Sequence, residues 1–198
     1  MDATRVIVIL MSTVLINNYV LNQFLGVCPY LGVTKQLRNS VGMGFAITFV
    51  MVLAAAVTWP IKMFVLEPSG LGYLQVIVFV LVIASLVQLV EITLKRYVPS
   101  LYKAFGVFLP LMATNCAILA VTLININRNY TFAESIVNAF GAGVGFLIAM
   151  VVFSGIREHM ENADPPEAFK GLPVMLFAVA ILSLSFFGFS GFIENFFG

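Results

Sequence analysis

The sequence predicts an all-α integral membrane protein in which six transmembrane helices form two inverted three-helix repeats, about 1–95 and 96–198, within one membrane domain over 1–198. The first and fourth helices are expected to be broken or re-entrant. Three observations carry this prediction. The residues AVILMFWYC make up 61% of the chain, and counting Gly while leaving out Tyr gives about 66%, against about 45–50% in soluble domains. Charged residues are only 10%, where about 25% is usual, and the mean hydropathy is +1.06. Motifs of the first half also recur, in order, in the second. A soluble fold of this size needs a polar cover that this chain lacks. The net charge of +1 leaves no basic face for nucleic acid, and two cysteines are too few for a disulfide scaffold.

A bilayer core about 30 Å thick takes roughly 20 apolar residues at 1.5 Å each. Apolar runs bounded by charges and turn residues place the spans at about 6–33, 41–66, 73–94, 104–124, 136–156 and 172–195. The first run follows Met1-Asp2-Ala3-Thr4-Arg5. It is too long for a signal peptide and no small-x-small cleavage site closes it, so it reads as an uncleaved span. As a straight helix it would reach roughly 42 Å, and Gly26, Pro29 and Gly32 mark where it bends or turns back. Lys35-Gln36-Leu37-Arg38 separates it from the second span, which closes on the turn sequence Glu67-Pro68-Ser69-Gly70. The third ends at Lys95-Arg96-Tyr97. In the fourth, Pro110 stands six residues before Cys116 and marks a second break. Thr131-Phe132-Ala133-Glu134 has capping-box spacing and opens the fifth helix after the polar loop from Asn125 to Ser135. A loop from Arg157 to Lys170, containing Asp164-Pro165-Pro166 and the single His159, precedes the sixth.

Basic residues orient the spans. The first, third and fifth loops hold Lys35, Arg38, Lys95, Arg96, Lys103, Arg157 and Lys170, while the other side holds Arg5, Lys62 and Arg128. Seven against three puts both termini outside. Within the repeat, Gly26-Val27-Cys28-Pro29-Tyr30-Leu31 lies over Thr114-Asn115-Cys116-Ala117-Ile118-Leu119, and Gly42-Met43-Gly44-Phe45 over Gly143-Val144-Gly145-Phe146. The offset grows from 88 to 101 residues, because the loop from Asn125 to Ser135 is longer than its counterpart. Three spans per half invert the second half, and inverted repeats place functional sites near the midplane on broken helices. Gly42, Gly44, Gly141, Gly143 and Gly145 are expected as close-packing surfaces.

Cys28 and Cys116 are the only cysteines, and they occupy matching places in the repeat. Three readings stand open for them: small buried hydrophobes, a disulfide, or thiolate ligands of an iron–sulfur cluster. A [2Fe–2S] cluster takes four thiolates, so the last reading demands a second subunit. Asn17, Asn18, Asn22 and Gln23 precede Cys28, and Thr114 and Asn115 precede Cys116. Amides are expensive in hydrocarbon unless paired; they either join helices or line a site. Glu91, near the end of the third span, is either an ion-path carboxylate or the interfacial partner of Lys95 at i+4. Two function classes fit these residues: a redox-complex subunit, or a small-solute transporter or channel with packing cysteines.

The run Asn17-Asn18-Tyr19-Val20-Leu21-Asn22-Gln23-Phe24-Leu25-Gly26-Val27-Cys28-Pro29-Tyr30-Leu31-Gly32-Val33 resembles the first-helix signature of the Rnf/Nqr family of redox-pump membrane subunits. Leu101-Tyr102-Lys103-Ala104-Phe105-Gly106 through Pro110, with Thr114-Asn115-Cys116-Ala117, is similar to its fourth-helix signature, and Phe140-Gly141-Ala142-Gly143-Val144-Gly145-Phe146 to a third motif. The resemblance covers nearly the whole chain. In the Nqr branch an acidic residue is expected where Asn17 stands and Pro29 is not expected, so Asn17-Asn18 and Cys28-Pro29 favour the Rnf branch. An Nqr-type role, with quinone as redox partner, is the alternative. The resemblance implies six helices in a bacterial or archaeal cytoplasmic membrane and pairing with a homologous subunit, RnfE. It implies a [2Fe–2S] cluster with Cys28 and Cys116 supplying two ligands and RnfE the other two. NAD and flavins would sit on other subunits of the complex (B, C, D and G among them), and electron flow between ferredoxin and NAD+ would be coupled to Na+ or H+ movement. Charge added at the midplane in low dielectric would act strongly on a nearby cation, for which Asn18, Asn22, Thr114, Asn115 and Glu91 are the candidate lining residues.

Overall fold

The computed structural model describes residues 7, 9–16, 22–28, 37–70, 72–97, 115–161 and 171–197. Among these residues every regular element is helical. The long helices are α1 (Leu37–Ile61), α2 (Gln75–Tyr97), α3 (Cys116–Asn127), α4 (Phe132–Glu161) and α5 (Leu172–Phe197). Ahead of them lies an N-terminal helical segment with a wide π turn at Ser12–Ile16. The stretches Ser40–Leu66, Gly72–Thr93 and Phe132–Met160 are long and apolar enough to cross a membrane, and Cys116–Asn127 and Pro173–Gly188 are shorter apolar helices.

The centre of the molecule is the α1–α4 pair, with α3 laid against both and the N-terminal segment against α4. On α1 the buried stripe runs Met43, Ile47, Val50, Met51 and Ala54; on α4 it runs Ala139, Ala142, Phe146, Ala149, Met150 and Phe153. Both stripes recur every three or four residues, the spacing of one helix face. Ala117, Ile118 and Val121 of α3 close the same core, and α2 adds Ile83 and Val87. The fifth predicted span is 56% buried across its apolar window and the third only 17%, which makes α4 the axis of the bundle and α2 an outer helix. Outward-facing Phe45, Phe49, Leu81, Ile181, Leu184 and Phe187 are exposed. Each such side chain left in water would forfeit about 1.5–3 kcal/mol of burial; hydrocarbon removes that penalty.

Small residues set how closely the central pair approaches. A Cβ on Gly143 would stand 2.5 Å from Thr48 Cγ2, and one on Gly44 would stand 3.0 Å from Leu147 Cγ. Residue numbers rise on α1 as they fall on α4 between these two contacts, so the helices run antiparallel. The glycines do what the small-residue pattern predicted, closing one helix backbone onto another.

Several boundaries differ from the sequence expectation. The second span begins at Leu37 rather than 41, with Arg38 in its first turn, and the fifth extends past 156 to Glu161. His159 therefore lies in the last turn of α4, not in a loop, and Arg157, just ahead of that turn, is only 5% exposed. Charge clusters read as loops on hydropathy alone, yet a helix end accepts basic residues well. The helix opens where the capping-box spacing predicted, with the Glu134 half of the box in place: the Thr131 N–H donates to Glu134 Oε2 at 3.0 Å, and the Ser135 N–H to the Thr131 carbonyl at 2.9 Å. Beyond Pro60, α1 passes into a π turn at Lys62–Leu66, then Glu67–Ser69, and stops at Gly70, whose φ of 64° is left-handed. Pro29, Gly32 and Pro110, expected at helix breaks, lie outside the described residues.

Candidate functional site

The first apolar stretch is interrupted where Gly26 predicted it. Asn22 and Gln23 are helical, Phe24 to Gly26 are not, and helical geometry returns at Val27 and Cys28. Two residues of the break are left-handed, Phe24 at φ 54° and Gly26 at φ 84°. The second is a conformation glycine adopts freely, and space demands glycine too: a Cβ there would lie 2.8 Å from Phe146 Cε2, 3.1 Å from Ala117 Cβ and 3.3 Å from Asn115 Oδ1. The break is thus seated in a cleft between α3 and α4.

That seat brings the two cysteine segments together. The Gly26 N–H donates to Cys116 Sγ at 2.9 Å across 90 residues of sequence. Cys28 follows two residues later, within about 7 Å of Gly26 along the chain. Cys116 is half-buried, Cys28 is exposed, and both thiols are free. Among the described residues no three His, Cys, Asp or Glu side chains gather as a metal-ligand set.

Local chemistry explains where α3 begins. Asn115 is extended (φ −72°, ψ 113°), and its Oδ1 accepts the Ala117 N–H at 3.0 Å, a side-chain N-cap. Its carbonyl accepts from Ile118 and Leu119. Cys116 therefore sits in the first helical turn, where the aligned peptide dipoles favour negative charge; a metal-bound cysteine is a thiolate. At twelve residues α3 is about 18 Å long, short of the roughly 30 Å apolar layer. Asn115 is only 4% exposed, and its Nδ2 meets no acceptor among the described residues.

Of the other predicted lining residues, Asn22 is half-buried on the last helical turn before the break. Asn18 and Thr114 lie outside the described residues. Glu91 is half-buried on α2, one turn beyond the inward stripe Phe79, Ile83 and Val87. The three atoms nearest a Gly26 Cβ come from α3 and α4, and Glu91 is not among them.

A second polar assembly was not anticipated. The Thr13 hydroxyl lies 2.7 Å from Asn138 Oδ1 and 2.8 Å from the Ile9 carbonyl, and its one proton serves both acceptors. Asn138 Nδ2 donates to Asn125 Oδ1 at 2.6 Å, and Asn125 Nδ2 to the Ser135 carbonyl at 3.2 Å. All three side chains are buried. The acceptor-only carbonyl at the far end orients both carboxamides head to tail and ties the N-terminal segment to α3 and α4. The one available signal was an Asn inside an apolar run, at position 138.

The family described as "Rnf-Nqr subunit, membrane protein" matches residues 6–193. This chain belongs to the Rnf-Nqr family of membrane subunits. Relatives within it are close. A component of the Na+-translocating ferredoxin:NAD+ oxidoreductase complex of Acetobacterium woodii is 52% identical over 185 residues, which is 93% of this chain and 96% of that one. The corresponding component of the ion-translocating oxidoreductase complex of Syntrophotalea carbinolica is 47% identical over 191 residues, 96% of this chain and 99% of that one. Its namesake in Vibrio vulnificus is 44% identical over 191 residues, 96% and 100% of the two chains. Rnf-Nqr membership accounts for the apolar helices and for the scarcity of charge along them.

Proposed function

We infer that this Rnf-Nqr chain is a membrane subunit of an ion-translocating ferredoxin:NAD+ oxidoreductase, and that Cys28 and Cys116 are half the ligand set of a [2Fe–2S] cluster completed by a homologous subunit, RnfE. The observation that carries it is the Gly26 N–H bonded to Cys116 Sγ, which unites two cysteine segments far apart in sequence. The names of the relatives supply the reaction class.

The residues suit such a centre. Thiolate sulfur is the ligand iron–sulfur clusters take, and N–H groups aimed at sulfur belong to their surroundings. A buried Asn115 Nδ2 with no acceptor among the described residues leaves a donor for a further sulfur atom. The exposed thiol of Cys28 faces where a second subunit can reach it. When bound, the cluster supplies a one-electron carrier at a depth that soluble carriers do not reach. The chain's own part is to hold Cys116 rigidly, through the Asn115 cap and the Gly26 N–H, and to present Cys28 from the end of a broken helix.

The antiparallel α1–α4 pair supports the inverted repeat: the two helices that the repeat matches, in contact through Gly44 and Gly143, run in opposite directions. Six spans, termini on the outer side of the cytoplasmic membrane, and passage of Na+ or H+ near Asn18, Asn22, Thr114, Asn115 and Glu91 complete the reading. Its test is the complex purified with Cys28→Ser or Cys116→Ser in this chain. Each variant is expected to lose the intramembrane [2Fe–2S] signal in electron paramagnetic resonance and two equivalents of iron while the subunits still co-purify. Full iron content in either variant would overturn it.

A further inference from the structure

Around Cys116 four backbone N–H groups have identified acceptors. The Ala117 N–H goes to Asn115 Oδ1, those of Ile118 and Leu119 to the Asn115 carbonyl, and that of Gly26 to Cys116 Sγ. The buried Asn115 amide nitrogen, by contrast, meets no acceptor among the described residues. It is attached to a residue with only 4% of its surface exposed, and the neighbouring oxygen lies 3.3 Å from the position a Gly26 Cβ would take. An unspent N–H in an apolar interior is costly. The cap alone gives no reason for that cost, because Ser or Asp caps a helix as well as Asn does. Asn differs from Asp in one respect that counts here: it brings two N–H donors, where an ionised carboxylate brings none.

We propose that Asn115 is a potential-setting residue of the intramembrane centre, its Nδ2 donating to an acceptor sulfur beside Cys116 and, with the Gly26 N–H, holding the added electron. The proposal rests on the shared-cluster reading. Hydrogen bonds to sulfur stabilise the more negative, reduced state and raise the reduction potential; in low dielectric they act strongly. The repeat makes the effect one-sided. Val27 stands where Asn115 stands in the other half, so Cys28 has no side-chain donor at the matching position. The two thiolates contributed by this chain are chemically unequal, with the electron-rich form favoured on the Cys116 side.

The test is potentiometric titration of the co-purified complex, followed by electron paramagnetic resonance, with Asn115→Asp and Asn115→Ser. Both variants keep a capping oxygen, so a purely structural role for Asn115 predicts unchanged potentials. The proposal expects wild-type iron content in both, with the midpoint lowered in Asn115→Asp by a tenfold or greater change in the reduction equilibrium, about 59 mV for one electron. Asn115→Ser should shift in the same direction by a smaller amount. Unchanged midpoints would overturn the proposal, and so would a shift in Asn115→Asp alone, which would report only the added charge. Loss of iron from both variants in an assembled complex would also overturn it, making Asn115 an assembly requirement. A wild-type complex without the cluster would instead bring down the underlying reading.

Discussion

Gly143 of α4 lies so close to Thr48 of α1 that a Cβ on it would stand 2.5 Å from Thr48 Cγ2 and 2.8 Å from Thr48 Cα. Backbone as well as side chain blocks the space, so a turn of the Thr48 side chain does not clear it. Gly→Ala within a helix ordinarily gains about 0.5–1 kcal/mol, but here overpacking of about 1–3 kcal/mol dominates. Gly143→Ala is expected to lower the melting temperature of the purified protein. Gly155→Ala, on the same helix and with no described atom within 4 Å of its Cβ position, is expected to leave it equal or higher. Equal melting temperatures for the two variants would refute the close approach.

The left-handed seat of Gly26 makes the cleft intolerant of any side chain. Gly26→Ala takes on about 1–2 kcal/mol of backbone strain and overlaps Phe146, itself buried and unable to withdraw. The expected outcome is a displaced Gly26 N–H and reduced iron incorporation in the assembled complex, measured per subunit. Normal iron with normal stability would show that the break does not need this conformation.

Asn138 holds the polar chain from Thr13 to Asn125 together. Hydrogen bonds between membrane helices average about 0.6 kcal/mol and reach about 1.7 kcal/mol. A double-mutant cycle of Thr13→Ala and Asn138→Ala is expected to return a coupling within that range in detergent unfolding, with each single variant loosening the N-terminal segment toward proteolysis. Strict additivity would remove the link.

Glu134 closes the start of α4 by accepting from the Thr131 N–H. Glu134→Gln keeps an acceptor there, whereas Glu134→Ala removes it. The alanine variant is expected to lose about 0.5–2 kcal/mol of stability, and the glutamine variant much less, read from thermal unfolding at neutral pH. Equal losses would assign Glu134 some other role.

Local signals were legible and distant ones were not. The Thr131–Glu134 box, the small residues of α1 and α4, and the interruption at Gly26 each announce themselves within a few residues, because capping, close approach and positive φ demand particular residue types. The chain from Thr13 to Asn138 joins residues 125 apart, and nothing local specifies it. Nor does sequence single out Phe24 as left-handed, since an aromatic side chain is a poor choice for φ 54°. The overrun of α4 through Arg157 was hidden for another reason: hydropathy scores charge, and cannot tell a charged helical turn from a loop. At the cysteines, motif and repeat predicted the pair, while the Asn115 cap and its unspent amide emerged only once α3 had a defined first residue.

The π turn after Pro60 has an effect on everything that follows it. In a regular helix Lys62 and Glu67, five residues apart, would point about 140° away from each other. Here the Glu67 N–H bonds to the Lys62 carbonyl, and the two side chains stand 4.0 Å apart. The inward phase carried by Met43, Ile47, Ala54 and Thr58 would fall next on Val65 in an unbroken helix; instead Val65 is exposed and Leu66 is buried. One inserted residue acts as a frameshift of the helix faces. It hands the last turn a new interior side chain and leaves an ion pair at its edge.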